Sequence, residues 1–203
     1  ASAAGELLFD VFLQAGGSLA REVALGLYVA ILTDTGSFRF SNSSPRAHRV
    51  VAELLECGVV PEETHRLVYG SVPLRKLRLL QATLGELEVD PEGDLAWMTV
   101  PSGPYETLGA TADDIEGLVD YPREVEGVAV GLLFRETAKG GTKISFRSNG
   151  DVDVNALARQ FGGGGHVKAS GAMVEGPLPR VREEVLTAAR QAIRERGRGE
   201  SGG

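Results

Sequence analysis

The stretch with the clearest chemical potential is a run of four glycines that a histidine and a lysine follow. It spans Gly162 to Gly165. His166 follows it directly, and Lys168 comes two residues later. Glycines contribute no packing and cost backbone entropy, and one glycine would suffice to end the apolar helical pattern over residues 154–161. The others favour a concave nest in which the N–H groups of Gly163, Gly164 and Gly165 bind an anion. The alternative is a flexible connection between helix and strand, which the adjacent His-x-Lys disfavours.

Asp34 is the second residue that could do chemistry. It follows an almost wholly apolar segment, Val23 to Leu32, which predicts a helix buried on all sides. Because the C-terminal end of a helix carries partial negative charge, a carboxylate there needs compensation. A divalent cation would supply it, and so would local N–H groups in a turn before Gly36. The spacing alone does not decide between a metal ligand and a turn residue.

Arg147 lies on a predicted strand. The segment from Gly127 to Phe134 has the composition of a buried strand, and Lys143 to Arg147 alternates as its partner. Alternation places Ile144 and Phe146 on one face and Lys143, Ser145 and Arg147 on the other. The planar guanidinium of Arg147 suits phosphate oxygens, although a surface strand residue would give the same pattern.

Composition limits the classes of partner. The chain has 203 residues, a formal charge of -7 and a pI of about 5.1, so a broad binding surface for duplex DNA is not expected. A nucleotide would have to bind at a local positive site. The one cysteine, Cys57, excludes an internal disulfide. No apolar run is long enough to cross a membrane and no signal peptide is recognisable, so we expect a cytoplasmic protein.

The remaining pattern predicts an α/β (α+β) chain in two parts. Residues 1–75 are expected to be mainly helical, with Ser18 as an N-cap, and residues 76–197 are expected to form a mixed-sheet domain that a helical linker opens. Residues 198–203 are expected to be a disordered tail. In the second part we predict a hairpin over residues 87–100, further strands near 127–134, 143–147 and 172–174, and helices over 154–161 and 178–196. The cleft between the two parts is the expected place for a reactive site.

Four segments together resemble the DHH phosphoesterases, and among them the group that acts on very short RNA and on 3'-phosphoadenosine 5'-phosphate (pAp). These segments are Leu32 to Arg39 (LTDTGSFR), Glu116 to Val119 (EGLV), Phe146 to Ser148 (FRS) and Gly162 to His166 (GGGGH). The glycine–histidine pattern resembles the substrate-binding loop of the family's associated domain, type 1. The resemblance covers nearly the whole chain and implies a mainly helical segment of the DHH domain joined to that substrate-binding domain.

The resemblance implies a metal-dependent hydrolase that releases 5'-nucleoside monophosphates from short RNA, removes the 3'-phosphate of pAp, or both. Two ions of Mn²⁺ or Mg²⁺ are expected in the intact enzyme, where they would activate a water and clamp the phosphate. Asp34 matches a metal-binding and catalytic aspartate. The residues expected to bind substrate are Arg147, Ser148, Gly163, Gly164, Gly165, His166 and Lys168, with Arg39, Glu116 and Arg123 as further candidates. The expected partner is single-stranded RNA or a mononucleotide, and a homodimer is left open.

The sequence departs from the family pattern in one respect, because it contains no Asp-His-His motif and lacks the family's first three motifs. We therefore expect a fragment that mainly binds substrate and is inactive by itself. Three alternatives remain: a RecJ-like single-strand exonuclease, a dinucleotide phosphodiesterase, and a nucleotide-binding module without catalysis. The acidic charge and the short second domain argue against a long DNA track.

Overall fold

The computed structural model describes residues 4–14, 16, 19–40 and 42–199, and side chains are described for 5–14, 16, 19–40 and 42–195. It divides the chain into two compact units, Ala1–Val72 and Pro73–Gly203. In the first unit the helices are α1 (Ala4–Gln14), α2 (Arg21–Asp34), α3 (Pro45–Glu56) and α4 (Pro61–Tyr69). The second unit contains α5 (Leu74–Leu84), β1 (Glu88–Val89), β2 (Leu95–Val100), α6 (Ser102–Thr107), α7 (Ala112–Ile115), α8 (Asp120–Glu124), β3 (Val130–Glu136), β4 (Gly141–Ser148), α9 (Val154–Arg159), β5 (Gly164–His166), β6 (Ala169–Glu175) and α10 (Leu178–Gly199).

Helix α2 is the centre of the first unit. Its buried face consists of Ala24, Leu27, Tyr28, Ile31 and Leu32, which pack with apolar residues of α1 and α3. The expectation that this helix is buried on all sides is wrong, because Leu25, Val29 and Ala30 are only half-buried. The described helices α1, α3 and α4 cover part of its circumference. The packing therefore fixes the direction in which α2 delivers its last residue, Asp34.

A six-stranded sheet organises the second unit, in the order β1-β2-β3-β4-β6-β5. Strands β2 and β3 are parallel, and each other neighbouring pair is antiparallel. The parallel pair needs a crossover connection, which the segment from α6 to α8 provides. The sheet is therefore mixed, as the sequence predicted.

One face of the sheet packs against helices and forms the larger core. Leu132, Phe134, Ile144 and Phe146 of β3 and β4 lie there, with α9 and α10 against them. Val181 and Val185 are the fully buried residues in the first half of α10. Complete burial of such side chains stabilises the fold by roughly 1.5–3 kcal/mol each.

The opposite face is covered over only part of its width. Leu79 of α5 packs with Met98, Leu133, Leu118 and Val119 over strands β2 and β3. On β4 and β6, by contrast, Lys143 and Met173 are exposed. Helix α5, which the sequence suggested as a linker, thus packs on the sheet of the second unit. The uncovered part of this face is available to a ligand.

Several boundaries differ from the sequence predictions. The N-cap of α2 is Ala20, while Ser18 lies outside the described residues. Helix α10 continues to Gly199, two residues into the expected tail, and residues 200–203 are not described. The glycine run was expected to be a loop, but Gly164 to His166 form the edge strand β5. Among the described helices, none is long and apolar enough to cross a membrane.

A buried carboxylate joins α5 to the start of α7. The Arg75 Nε donates to Asp114 Oδ2 at 2.9 Å. The N–H and the hydroxyl of Thr111 donate to the same oxygen at 2.9 and 3.0 Å. The Arg75 guanidinium, and then the Thr111 N–H, hold the pKa of Asp114 below its usual value. Because α7 lies beside the uncovered face, this contact helps to fix one wall of that surface.

We expect Asp114→Asn to lower the thermal stability of the chain at neutral pH. A carboxyl with a lowered folded-state pKa stabilises the fold above its ordinary pKa of about 4, and that contribution disappears as the pH falls through the folded-state value. The difference in Tm between wild type and variant should therefore be present at pH 7 and shrink below about pH 4. Thermal unfolding followed by circular dichroism measures it. Asp113→Asn is the matched control, and a difference in Tm that stays constant with pH would contradict the prediction.

Candidate functional site

Strand register places Arg147 and His166 in one row across the uncovered face. Arg147 of β4 lies opposite Ala169 of β6, and Ala169 lies opposite His166 of β5. Residues directly opposite each other in a sheet point to the same face. Because neighbouring strands are about 4.8 Å apart, the two backbones are about 10 Å apart, with only a methyl group between them. The structure thus brings these two predicted residues onto one surface.

Arg147 is half-buried and held in place by its neighbours. Its Nη1 donates to the Phe146 carbonyl at 3.0 Å, and its Nε lies 3.7 Å from Asp120 Oδ1. Arg123 shares that carboxylate, with Nη2 at 3.3 Å. Two guanidinium groups therefore face one carboxylate, which leaves a local excess of positive charge. Arg123, a further candidate from the sequence, belongs to this cluster.

The glycine run does not form the open nest that the sequence suggested. The Gly163 N–H donates to the Ala158 carbonyl at 2.9 Å. The Gly165 N–H donates to Asn155 Oδ1 at 3.0 Å. These two donors are thus used within the chain, and their binding of a phosphate stays a prediction. Gly164 faces Gly171 across the edge of the sheet.

Close approach of two backbones explains the glycines instead. A Cβ on Gly163 would overlap the carbonyl oxygen of Gly171, and a Cβ on Gly165 would lie 2.6 Å from the Ala169 oxygen. Gly165 also has φ of +152°, which side chains rarely adopt. The Ser170 hydroxyl donates to the His166 carbonyl at 2.8 Å and closes the turn between β5 and β6. The glycines therefore hold His166 at its position.

Lys168 and Ser148 have different surroundings. Lys168 is exposed in the turn after β5, and its carbonyl accepts from the Ser148 N–H at 3.2 Å. Ser148 is buried on the other face, where its hydroxyl donates to the Val152 carbonyl at 2.8 Å. The structure therefore does not bring the Ser148 side chain to the uncovered surface. Strand alternation could have predicted this, because Ser148 directly follows Arg147.

A cleft of about 280 Å³ opens beside Arg147 on the uncovered face. Ser145 and Leu133 contribute to its floor, and Glu116, a further candidate from the sequence, is on its rim. The sequence interpretation did not select two basic residues that also line it, Arg135 and Lys143. The alternation that placed Lys143 on the face of Arg147 was the available signal. The cleft thus gathers three basic side chains from neighbouring strands.

In the first unit, Asp34 ends α2 and enters a strained turn. Gly36, Ser37 and Phe38 have φ of +56°, +58° and +65°. Left-handed conformations at residues other than glycine cost about 1 kcal/mol or more each and concentrate at functional sites. The buried Thr35 hydroxyl donates to the Ile31 carbonyl at 2.6 Å and accepts from the Phe38 N–H at 3.1 Å. This network holds the turn directly after Asp34.

The backbone of Asp34 is tied down from the other side as well. Its carbonyl accepts from Asn42 Nδ2 at 3.0 Å, while its side chain is exposed. Arg39, the third further candidate, is also exposed and donates from Nε to the Gly36 carbonyl at 2.9 Å. Arg39 therefore stabilises the strained turn. The arrangement gives Asp34 a fixed backbone and an accessible carboxylate.

Within the part of the chain that the structure describes, one group of three carboxylates is close enough to share a cation. It consists of Asp90, Glu92 and Asp94 in the turn between β1 and β2, and Asp34 is not part of it. Burial raises the pKa of Asp94, and the charges of Asp90 and Glu92 raise it further. Arg190 lies 3.6 Å from Asp90 and Arg194 lies 3.1 Å from Glu92. These arginines compensate the cluster and join the turn to α10.

We expect Gly163→Ala and Gly165→Ala each to destabilise the chain by roughly 1–3 kcal/mol, because the added Cβ overlaps backbone atoms. Gly164→Ala is the matched control. Its Cβ would meet nothing closer than Asn155 Oδ1 at 3.7 Å, so its effect should stay within about 0.5 kcal/mol. Urea unfolding of the three variants measures the differences. Equal stability of all three would contradict the steric explanation.

Comparison with known proteins relates this geometry to a family. Residues 101–195 match the model of the DHHA1 domain. The chain is 36% identical over 200 residues to a bifunctional oligoribonuclease and PAP phosphatase NrnA of Thermus thermophilus, covering 97% of this chain and 59% of the relative. A Bacillus subtilis protein of the same name is 28% identical over 177 residues, covering 86% of this chain and 55% of the relative. The chain thus spans somewhat more than half the length of these relatives.

A solved structure supports the same assignment. The fold is similar to that of an exopolyphosphatase-related protein from Bacteroides fragilis, with a TM-score of 0.84 and 28% identity. The match covers 96% of this chain and 57% of that one. The similarity therefore includes both compact units as well as the DHHA1 segment. The chain belongs to the DHH phosphoesterase family and carries its DHHA1 domain.

Proposed function

We propose that this chain is the substrate-binding part of a phosphoesterase that hydrolyses short oligoribonucleotides to 5'-nucleoside monophosphates, removes the 3'-phosphate of pAp, or both. The single observation that carries the proposal is the row of Arg147 and His166 beside a basic cleft on the uncovered sheet face. The relatives named oligoribonuclease and PAP phosphatase support this choice of substrate.

Electrostatics favours a phosphate at this row. A protein chain with a formal charge of -7 repels nucleotides at long range, so affinity for a nucleotide must come from a local site. Arg147 offers a planar set of donors in a partly buried place, where charge-assisted hydrogen bonds are stronger than in water. Its contact with Asp120 at 3.7 Å is long for a hydrogen bond, so donors remain for a ligand.

His166 and Lys168 would complete the phosphate site from the edge of the sheet. Both side chains are exposed, and neither has a hydrogen-bond partner within the described parts of the chain. Ala169 and Gly171, between Arg147 and the edge strand, are small. A ligand can therefore approach the backbone closely between the basic side chains.

DHH phosphoesterases are metal-dependent, and we propose that Asp34 serves as one ligand of a divalent cation, Mn²⁺ or Mg²⁺. Carboxylate oxygens are the donors that such hard cations prefer. The described residues do not by themselves form a metal centre around Asp34, because no group of three potential ligands includes it. Further ligands would have to come from outside the described residues. The proposal for this chain is therefore mainly one of substrate binding.

The location and the partners follow from the same proposal. A nucleotide-processing enzyme of this kind works where short RNA is produced, which is the cytoplasm. Its partner is single-stranded RNA or a mononucleotide, and the cleft of about 280 Å³ is just below the range of roughly 300–1,000 Å³ that is typical of small-molecule sites.

Arg147→Ala should weaken binding of adenosine 5'-monophosphate by about ten- to a hundredfold, since a charge-assisted hydrogen bond contributes roughly 1.5–3 kcal/mol. His166→Ala should act in the same direction. Isothermal titration of the 203-residue chain measures both. Arg159→Ala, an exposed arginine at the end of α9, is the control for the change in charge. Unchanged binding in both test variants would place the substrate elsewhere.

Asp34→Asn should abolish hydrolysis while leaving the fold and nucleotide binding intact, because a carboxamide lacks the negative charge that a divalent cation requires. The assay joins this chain to the part of the Thermus thermophilus relative that it does not match. Release of adenosine monophosphate from a diadenylate in the presence of Mn²⁺ is the readout. Turnover of the variant at a rate near that of wild type would make Asp34 a turn residue only.

A further inference from the structure

Two basic residues lie directly opposite each other on the uncovered face. Arg135 of β3 is the register partner of Lys143 of β4. Like charges in this relation destabilise a strand pair, because the Cβ atoms are only about 5 Å apart. Among the described residues, neither side chain forms an ion pair with a carboxylate. The fold therefore holds two adjacent positive charges that no described carboxylate neutralises.

The environment of Arg135 keeps its guanidinium in place. The group lies 5.5 Å from the centre of the Tyr105 ring, and Nη1 lies 3.5 Å from the Tyr105 hydroxyl. Stacking of this kind positions a guanidinium while its edge stays available for an anion. Lys143 is exposed and reaches the same place from the neighbouring strand. The pair thus combines a fixed donor with an adaptable one.

The pair is separated from Arg147 along the strand. Lys143 and Arg147 are four residues apart on β4, which corresponds to about 14 Å between backbones. Ser145 lies between them on the same face, opposite Gly171. Small residues therefore separate Lys143 from Arg147 at the bottom of the cleft. Arg135, Lys143 and Arg147 all line the same cleft.

Acidic side chains also face the cleft. Asp113 and Glu116 lie on its rim and are exposed. Three basic and two acidic side chains therefore line it, so its net charge is positive although the whole chain carries -7. The exposed Lys143 side chain can turn towards a ligand, and the exposed carboxylates of Asp113 and Glu116 remain hydrated at the rim.

We propose that Arg135 and Lys143 form a second phosphate subsite, so that the cleft binds a ligand with two phosphate groups. One phosphate lies at the row of Arg147 and His166, and the other lies between Arg135 and Lys143. This inference rests on the proposed function and extends it, because it names the residues that distinguish a substrate with two phosphates from its product with one. Binding of the second phosphate removes the repulsion between the two basic side chains.

The test compares two ligands that differ by one phosphate, adenosine 5'-monophosphate and pAp, by isothermal titration of the 203-residue chain. Wild type should bind pAp more tightly. Lys143→Met keeps the length of the side chain and removes its charge, so the affinity for pAp should fall about tenfold while that for the monophosphate changes less than twofold. Arg135→Met should have the same effect, and Arg159→Ala should have none.

Thermal unfolding of Lys143→Met provides a second readout. Loss of the like-charge contact should leave Tm unchanged or raise it, so that weaker binding does not reflect a damaged fold. An unchanged preference for pAp, or an equal loss of affinity for both ligands, would overturn the second subsite while leaving the first in place. If Arg147→Ala alters binding of neither ligand, the proposed function itself fails. The two failures are therefore distinguishable.

Discussion

The pairing of β4 with β3 on one side and β6 on the other is the interaction on which the rest of the site depends. Side chains alternate along a strand, so the register that buries Ile144 and Phe146 also turns Lys143 and Arg147 outward. A slip of one residue would exchange the two sets and place charges in the core. The strand register that forms the hydrophobic core of the second unit therefore also determines where its basic side chains lie.

The two faces of the sheet consequently have separate roles. The face against α9 and α10 supplies stability through buried aliphatic and aromatic side chains. The opposite face is covered over β2 and β3 and uncovered over β4 and β6, which leaves a step at the boundary. The cleft lies at that step, where Leu133 of the covered part meets Ser145 and Arg147. A basic group at such a boundary is partly shielded from water, which strengthens its attraction for an anion.

Much of the second unit could be predicted from the sequence, because period-two patterns over 87–100 and 143–147 and helical spacing over 178–196 are strong signals.

The features that the sequence interpretation missed have specific causes. The glycine run was interpreted as a ligand-binding nest because composition does not show which carbonyl groups approach it, and the contacts with Ala158 and Gly171 depend on how α9, β5 and β6 pack together. Ser148 was grouped with Arg147 because both belong to the segment Phe146 to Ser148 that resembles the family, although neighbouring strand residues point in opposite directions. Arg135 was missed because only pairing with β4 reveals its position opposite Lys143. For Asp34, the sequence indicated the residue but not the strained turn that follows it.

The shortness of the outermost strands has a consequence for the chain in concentrated solution. Strand β1 has two residues and β5 has three, and each covers only part of its longer neighbour, so each border of the described sheet is divided between two strands. A long, flat border would be a template on which further copies could add strands and grow into fibres. The glycines that allow β5 to lie close to β6 also limit that border, since glycine has low strand propensity. The divided borders therefore reduce the tendency of the sheet to add copies of itself through its edges while a broad face stays open to solvent.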